Sequence, residues 1–290
     1  MKVIIPKFSG FCPGVKQAEQ RLLSSEGKQD LVILGELIHN TDYISYLDSL
    51  GIQTVDQSST VKEDTTLVIR THGINREKET AIRKKHSILD LTCFKVKALQ
   101  NAIRDAAQQK KYIILTGKKE HPEILGLVSY AEHYTVISSE DELGAFIHSE
   151  NNKDTQFYGC ESVYIASQTT GDLSLFQKTC NTISSEFGNT YNIEINNSIC
   201  GITELREKAA EEAMQECDIA FVVGDKKSSN AKKLFHRLKE RQKPVYFIAN
   251  RKDLEDQNIS TQGCKTALVV SSSSTPDFIE KGITDYLTAL

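Results

Sequence analysis

The chain has 290 residues, 39% of them hydrophobic and 26% charged, with a formal net charge of −4. That length exceeds one ordinary core and suits two or three small domains. The slight acidity excludes the strongly basic surface of a nucleic-acid binder. No stretch approaches the roughly 18 apolar residues of a membrane span, and the opening MKVIIPKFSG has too short an apolar run for a signal peptide. A cytoplasmic protein with no nucleic-acid or membrane partner is the expectation. The seven cysteines are odd in number, widely scattered and without a CxxC pair, so a disulfide framework and a short zinc ribbon are both set aside.

In chain order, FCPGVK (11–16) pins Cys12 between Gly10 and Gly14 at the start of a helical pattern, with apolar positions at Val15, Ala18 and Leu22. The run LVIL then ends in Gly35 and reads as a buried parallel strand. His39-Asn40 follow, then a second strand over IQTV (52–55) and a third in LVIRTHG (67–73). The same order returns from Cys93: a helix with Val96, Leu99, Ile103 and Ala106, the strand YIILT ending in Gly117, the loop His121-Pro122-Glu123, then YTVI (134–137) and VYIASQTT (163–170). It returns again from Cys200: a helix with Leu205, Ala209, Ala213 and Cys217 on one face, the strand IAFVV ending in Gly224, the loop Ser228-Ser229-Asn230, then VYFI (245–248) and ALVVSSSSTPD (267–277).

The cysteines lie 23, 24 and 24 residues before their glycines, and His39, His121 and Ser228 each lie four residues after. Two matched offsets plus a matched strand order define a threefold internal repeat. The chain is therefore predicted to be α/β, with three pseudo-threefold-related lobes over 1–92, 93–192 and 193–290, each a small parallel sheet flanked by helices.

Ligands of open parallel sheets sit beyond the carboxyl ends of the strands. The repeat places His39-Asn40, Thr71-His72, His121 to Glu123, Thr169-Thr170, Ser228 to Asn230 and Ser274-Thr275 there, around one central cavity, with Cys12, Cys93 and Cys200 entering equivalently. A sulfur at a helix start meets the positive end of the dipole, which favours the metal-binding thiolate. Three such thiolates suit an iron–sulfur cluster with one open iron; a zinc ion with three ligands and a water fits the same set. Cys160, Cys180, Cys217 and Cys264 fall off the repeated position and read as core residues, and His86, His133, His148 and His236 carry no assignment. The hydroxyls, amides and imidazoles point to a phosphate or diphosphate ligand. Glu123 reads either as a general acid in a dehydrated cavity or as support for the start of the helix that follows it. Zinc-dependent hydrolysis lacks an HExxH-like helix.

FCPGVK, GELIHN, RTHG, DLTC, EHPEILG, SQTT, SICGIT, SSNAKKL and SSTPD come in the order of the motifs of the 4-hydroxy-3-methylbut-2-enyl diphosphate reductase family, which the chain resembles from Cys12 to about Pro276. The resemblance implies a trefoil of three α/β lobes around a 4Fe–4S cluster held by Cys12, Cys93 and Cys200. It implies an iron–sulfur oxidoreductase of isoprenoid biosynthesis by the methylerythritol phosphate route. Such an enzyme removes the allylic hydroxyl of its diphosphate substrate reductively at the open iron, giving isopentenyl and dimethylallyl diphosphates. Electrons would come one at a time from a ferredoxin or flavodoxin. By matching motifs, His39, His72, His121, Ser228, Ser229, Asn230 and Ser274 would hold the diphosphate, Glu123 and His121 would serve catalysis, and Thr169 would orient the hydroxyl and relay a proton. Phe94, Ala98, Gln100, Lys227, Ala231 and Ser272-Ser273 depart from the usual motifs. Those departures leave room for a non-catalytic trefoil that binds diphosphates or senses redox state.

Overall fold

The apolar runs that end in glycine become the inner strands of three sheets. The computed structural model of the chain describes residues 1–38, 40–56, 61–62, 65–152, 156–226 and 228–290. Its elements run β1 (Lys2–Ile4), α1 (Pro13–Ser24), β2 (Leu31–Leu34), α2 (Thr41–Ser49), β3 (Gln53–Val55), β4 (Thr66–Ile69), α3 (Arg76–Ile82), β5 (Ile88–Asp90), α4 (Phe94–Gln108), β6 (Tyr112–Thr116), α5 (Pro122–Val128) and β7 (Tyr134–Ile137). They continue α6 (Glu140–Asn151), β8 (Ser162–Ser167), α7 (Leu173–Phe187), β9 (Asn192–Ile195), α8 (Ile202–Met214), β10 (Ile219–Val223), α9 (Ser229–Lys239), β11 (Val245–Ile248), α10 (Arg251–Asp256), β12 (Thr266–Ser271) and α11 (Asp277–Ala289).

The strand orders are β3-β2-β4-β5, β7-β6-β8-β9 and β11-β10-β12-β1. Each sheet thus repeats one plan: second, first, third, and then an edge strand. The pairs β2·β3, β6·β7, β6·β8, β8·β9, β10·β11, β10·β12 and β1·β12 are parallel. The expected α/β architecture of three small parallel sheets flanked by helices is what the chain adopts.

The repeat reaches individual hydrogen bonds. The N–H groups of Gly35, Gly117 and Gly224 donate to Val55, Ile137 and Ile248, the last residues of the three second strands, at 2.8, 3.0 and 3.0 Å. Gly117 cannot carry a side chain: a Cβ there would lie 2.8 Å from Gln168 Cβ and 2.9 Å from Ile124 Cδ1.

By contacts the chain forms two compact units, one of residues 1–68 and 201–290, the other Ile69–Cys200. In the second unit every residue of β6 is buried. Ile113 and Leu115 pack with Leu99, Ile103, Ile124 and Leu127 of α4 and α5. Tyr112 and Ile114 face the other way, among Leu143, Phe176 and Ile183. In the first unit β10 does the same, Ala220 and Val222 packing with Ala210 and Leu234, Phe221 and Val223 with Ile279 and Ile283. Each fully buried valine, leucine, isoleucine or phenylalanine among them contributes about 1.5–3 kcal/mol, which is why strands covered on both faces read as unbroken apolar runs.

Two features differ from the sequence expectation. Every sheet has a fourth strand, and the one completing the third sheet is β1, from the start of the chain. The buried face of α8 is Arg206, Glu207, Ala210 and Met214, one position round from the Leu205, Ala209, Ala213 and Cys217 stripe; Leu205 is exposed and Cys217 lies past the helix end in the core. The physical reason is that both charged residues are paired. Arg206 donates to the carbonyls of Phe8 and Gly10, and Glu207 receives Arg237 and Lys233.

Candidate active site

Cys12 and Cys93 are the residues immediately before α1 and α4, and neither side chain caps its helix. Cys200 lies one residue earlier, before Gly201 and α8. All three are half-buried, whereas Cys160, Cys180 and Cys217 are buried in the cores. Soft sulfur donors presented at helix starts suit an iron–sulfur centre. Among the described residues, no group of three or more His, Cys, Asp or Glu side chains is gathered tightly enough to hold a single metal ion.

In the unit Ile69–Cys200, the sequence-derived residues form one connected series. The Cys93 N–H donates to Thr71 O at 3.0 Å, prolonging the line of the Leu91 N–H bond to Ile69 O, so this cysteine is tied to the loop that carries His72. The His72 ring meets His121 edge-on, with centroids 5.3 Å apart. His121 caps α5, its Nδ1 accepting from the Glu123 N–H at 3.2 Å. An accepting Nδ1 places the proton of the neutral ring on Nε2. The helix start is thus supported by the histidine, and the Glu123 side chain is turned to other work.

Glu123 is 1% exposed. Its Oε1 accepts the Thr169 N–H at 2.6 Å and its Oε2 the Thr169 hydroxyl at 2.8 Å. Burial pushes its carboxyl up to about 7, against the opposing pull of the two Thr169 hydrogen bonds. Thr169 in turn takes the Cys200 N–H on its carbonyl at 2.6 Å. A proton-holding carboxyl therefore stands one residue away from the backbone of the third cysteine.

Several supporting groups carried no sequence assignment. Asp90 Oδ1 accepts from the N–H and hydroxyl of Thr92, and its Oδ2 pairs with Lys97 at 2.9 Å, holding the turn into Cys93. Burial alone would raise the Asp90 carboxyl, but the hydrogen bonds from Lys97 and Thr92 hold it below its ordinary range. Asp-x-Thr before the cysteine is a readable turn signal. Gln168 bridges two loops, accepting from the Lys118 N–H and donating to Thr170. Gln100, one of the departures, is buried under the RTHG loop: a Cβ on Gly73 (φ +73°) would lie 2.7 Å from Gln100 Nε2. Phe94, another departure, is exposed.

In the unit of residues 1–68 and 201–290, Ser228 caps α9 by accepting from the Ala231 N–H, and Ser274 donates to the Ser228 hydroxyl at 3.3 Å. Asn230 reaches Ser273 at 3.3 Å, and Ser272 bonds both Ser274 and Thr275 at 3.1 Å. Two departures from the motif, Ser272 and Ser273, are therefore built into this hydroxyl cluster. Asn40 caps α2. His39, Lys227 and the Ser229 side chain lie outside the described residues.

Parallel sheets, cysteines set before helices and a buried, neutralisable carboxyl are features an α/β oxidoreductase would use. The family model for LytB protein matches residues 3–288, and the chain belongs to that family. Similar curated proteins are the 4-hydroxy-3-methylbut-2-enyl diphosphate reductases of Aquifex aeolicus (strain VF5), 31% identical over 96% of this chain and 92% of that one, and of Clostridium perfringens (strain SM101), 32% identical over 96% and 95%. A solved structure of (E)-4-hydroxy-3-methyl-but-2-enyl diphosphate reductase, the terminal enzyme of the non-mevalonate pathway, is similar with a TM-score of 0.77 and 28% identity, covering all of both chains. The Plasmodium falciparum reductase shares the fold at a TM-score of 0.77 and 22% identity, over 99% of this chain and 88% of that one.

Proposed function

We propose that the chain reduces 4-hydroxy-3-methylbut-2-enyl diphosphate, removing its allylic hydroxyl to give isopentenyl and dimethylallyl diphosphates. Membership of the LytB family and full-length similarity to reductases of that name support the reaction. Two electrons and two protons enter: the carbon–oxygen bond breaks, one proton leaves with the oxygen as water, and the other joins the allylic carbon frame. The observation that carries the protein's part is the Glu123 carboxyl, buried, bonded to Thr169 and holding its proton to about pH 7. It is the proton donor, and the Thr169 hydroxyl between it and the substrate orients the leaving hydroxyl and relays the proton.

Cys12, Cys93 and Cys200 would hold a 4Fe–4S cluster, and their half-buried, uncapped positions before three helices fit that role. When bound, such a cluster supplies the single-electron steps and a Lewis-acidic open iron, fed by a ferredoxin- or flavodoxin-type donor. His39, His72, His121, Ser228, Ser229, Asn230 and Ser274 hold the diphosphate with neutral or protonated donors. His121 contributes its Nε2–H, since Nδ1 is committed to the Glu123 N–H. In the same reading the lobes are 1–92, 93–192 and 193–290, each supplying the inner strands of one sheet. No described helix is long and apolar enough to cross a membrane, and free cysteines suit a reducing cytoplasm.

The test is anaerobic purification with iron and sulfide, a visible spectrum, and turnover of the substrate under a reduced dye. A brown protein that forms both products is expected, with Cys12→Ser, Cys93→Ser and Cys200→Ser colourless and inactive. Glu123→Gln should keep the colour and lose on the order of 10²–10⁴-fold in kcat. A brown protein that makes no product would overturn the assignment.

A further inference from the structure

We propose that Arg206 is the positioning residue for the Cys12 thiol. The segment leading into Cys12 is held in an unusual conformation: Phe8 has φ +66° and Gly10 φ +72°, both in the left-handed region. For a phenylalanine that region is strained, and it persists only where neighbours over-determine it. One side of the turn is fastened to the end of β12: the Gly10 N–H donates to Ser271 O at 3.1 Å, and the Ser9 hydroxyl accepts the Ser271 N–H at 2.8 Å while donating to Glu280. The other side is fastened by Arg206 alone among the described side-chain bonds, with Nε on Phe8 O at 2.6 Å and Nη2 on Gly10 O at 2.7 Å.

The cation is 2% exposed on the inner face of α8. Hydrogen bonds from a buried guanidinium are the strong kind, and its fixed planar fork sets the spacing of the two carbonyls as well as holding them. Those carbonyls stand four and two residues before Cys12. Arg206 itself stands six residues after Cys200, at the first turns of α8. The side chain therefore references the first cysteine's turn to the helix that the third cysteine introduces. A sulfur that must meet a rigid inorganic core needs such a reference. A lysine at this position would keep the charge but lose the fork.

This inference rests on reading Cys12 as a ligand, and its test separates the two. On the metal-free full-length chain, alkylation of Cys12 by iodoacetamide is timed by mass spectrometry against Cys93 in the same molecules. Arg206→Met should raise the Cys12-to-Cys93 rate ratio about tenfold, as loss of two charge-assisted bonds loosens the turn. Arg206→Lys should fall between the two, and it carries the test if the methionine variant does not fold. Lys243→Met is the control for a general weakening of α8, because Lys243 fastens only the far end of that helix, through the carbonyls of Met214, Gln215 and Cys217; its ratio should stay at the wild-type value. After anaerobic reconstitution, the Arg206 variants should hold less iron and show an altered paramagnetic resonance spectrum when reduced. An unchanged ratio in Arg206→Met, or an equal rise in Lys243→Met, overturns the positioning role. Wild-type chain that takes up no iron overturns the ligand reading instead, and leaves the ratio to decide on Arg206.

Discussion

At Glu123, desolvation outweighs two hydrogen bonds, and the consequences are measurable in rate and in stability. Turnover that draws on the protonated carboxyl should fall as pH rises through about 7. The Thr169 hydroxyl stabilises the ionised form, so Thr169→Val should move that alkaline limb upward, by about 1–2 pH units for the loss of one hydrogen bond to a charged group. A pH–rate profile that stays in place would show that Glu123 does not set it. Stability has its own sign. The folded chain keeps a proton that the unfolded chain releases from its ordinary 4.5, so folding binds protons between that value and about 7, and stability declines across the window. Glu123→Gln removes the decline. From pH 4.5 to 8 the wild type should lose on the order of 3 kcal/mol relative to the variant in denaturant titrations. Parallel curves would mean the carboxyl ionises inside the fold as readily as outside it.

Elements were legible where burial is two-sided and obscure where it is not. The inner strands β2, β6 and β10 are apolar apart from Thr116 and run directly into glycine, and their partners β7 and β11 match the expected segments 134–137 and 245–248 residue for residue. The edge strands β1, β5 and β9 are three or four residues long, carry Lys2, Asp90 and Glu194, and are only partly buried. Such strands have no periodic signal to read. The site loops were readable because offsets repeat, but Gln168 and Arg206 act through backbone groups distant in sequence, which no spacing announces. Helix α8 was misread for that reason: alanines and Leu205 form a plausible stripe, while the true inner face includes two charged residues whose partners lie elsewhere in the chain. The corrected register makes a paired prediction. Leu205→Ser should change stability by no more than about 0.5 kcal/mol, while Met214→Ala, which opens a cavity beside Leu238 and Val222, should cost about 2–5 kcal/mol. Denaturation midpoints for the two variants check it, and a larger loss at Leu205 would restore the original stripe.

For the molecule as a whole, the threefold plan is cyclic. Strand β5 leads into Cys93 and β9 into Cys200, each completing the sheet of the repeat just ended. Strand β1 leads into Cys12 yet pairs with β12, Lys2 to Ile4 lying beside Thr266 to Leu268. The sheet that closes the last repeat is thus finished by the first residues of the chain, and the Met1 nitrogen donates to Leu287 O at 3.0 Å beside the end of α11. The order of connections, not the position of the break, is what the packing requires. A chain in which Leu290 is joined to Met1 by a short glycine–serine linker, and opened instead after the exposed Lys110, in the link between α4 and β6, retains every strand order. It should show the far-UV spectrum of the parent and unfold cooperatively, since exposed turns tolerate new ends. Deleting residues 1–5 is the contrasting variant, because it strips the edge from β12 and exposes Leu268 and its neighbours. It should lose several kcal/mol of stability in proportion to the apolar surface uncovered. If the permuted chain fails to fold while the truncated one folds normally, the cyclic plan is wrong, and β1 is an appendage of the third sheet instead of its fourth strand.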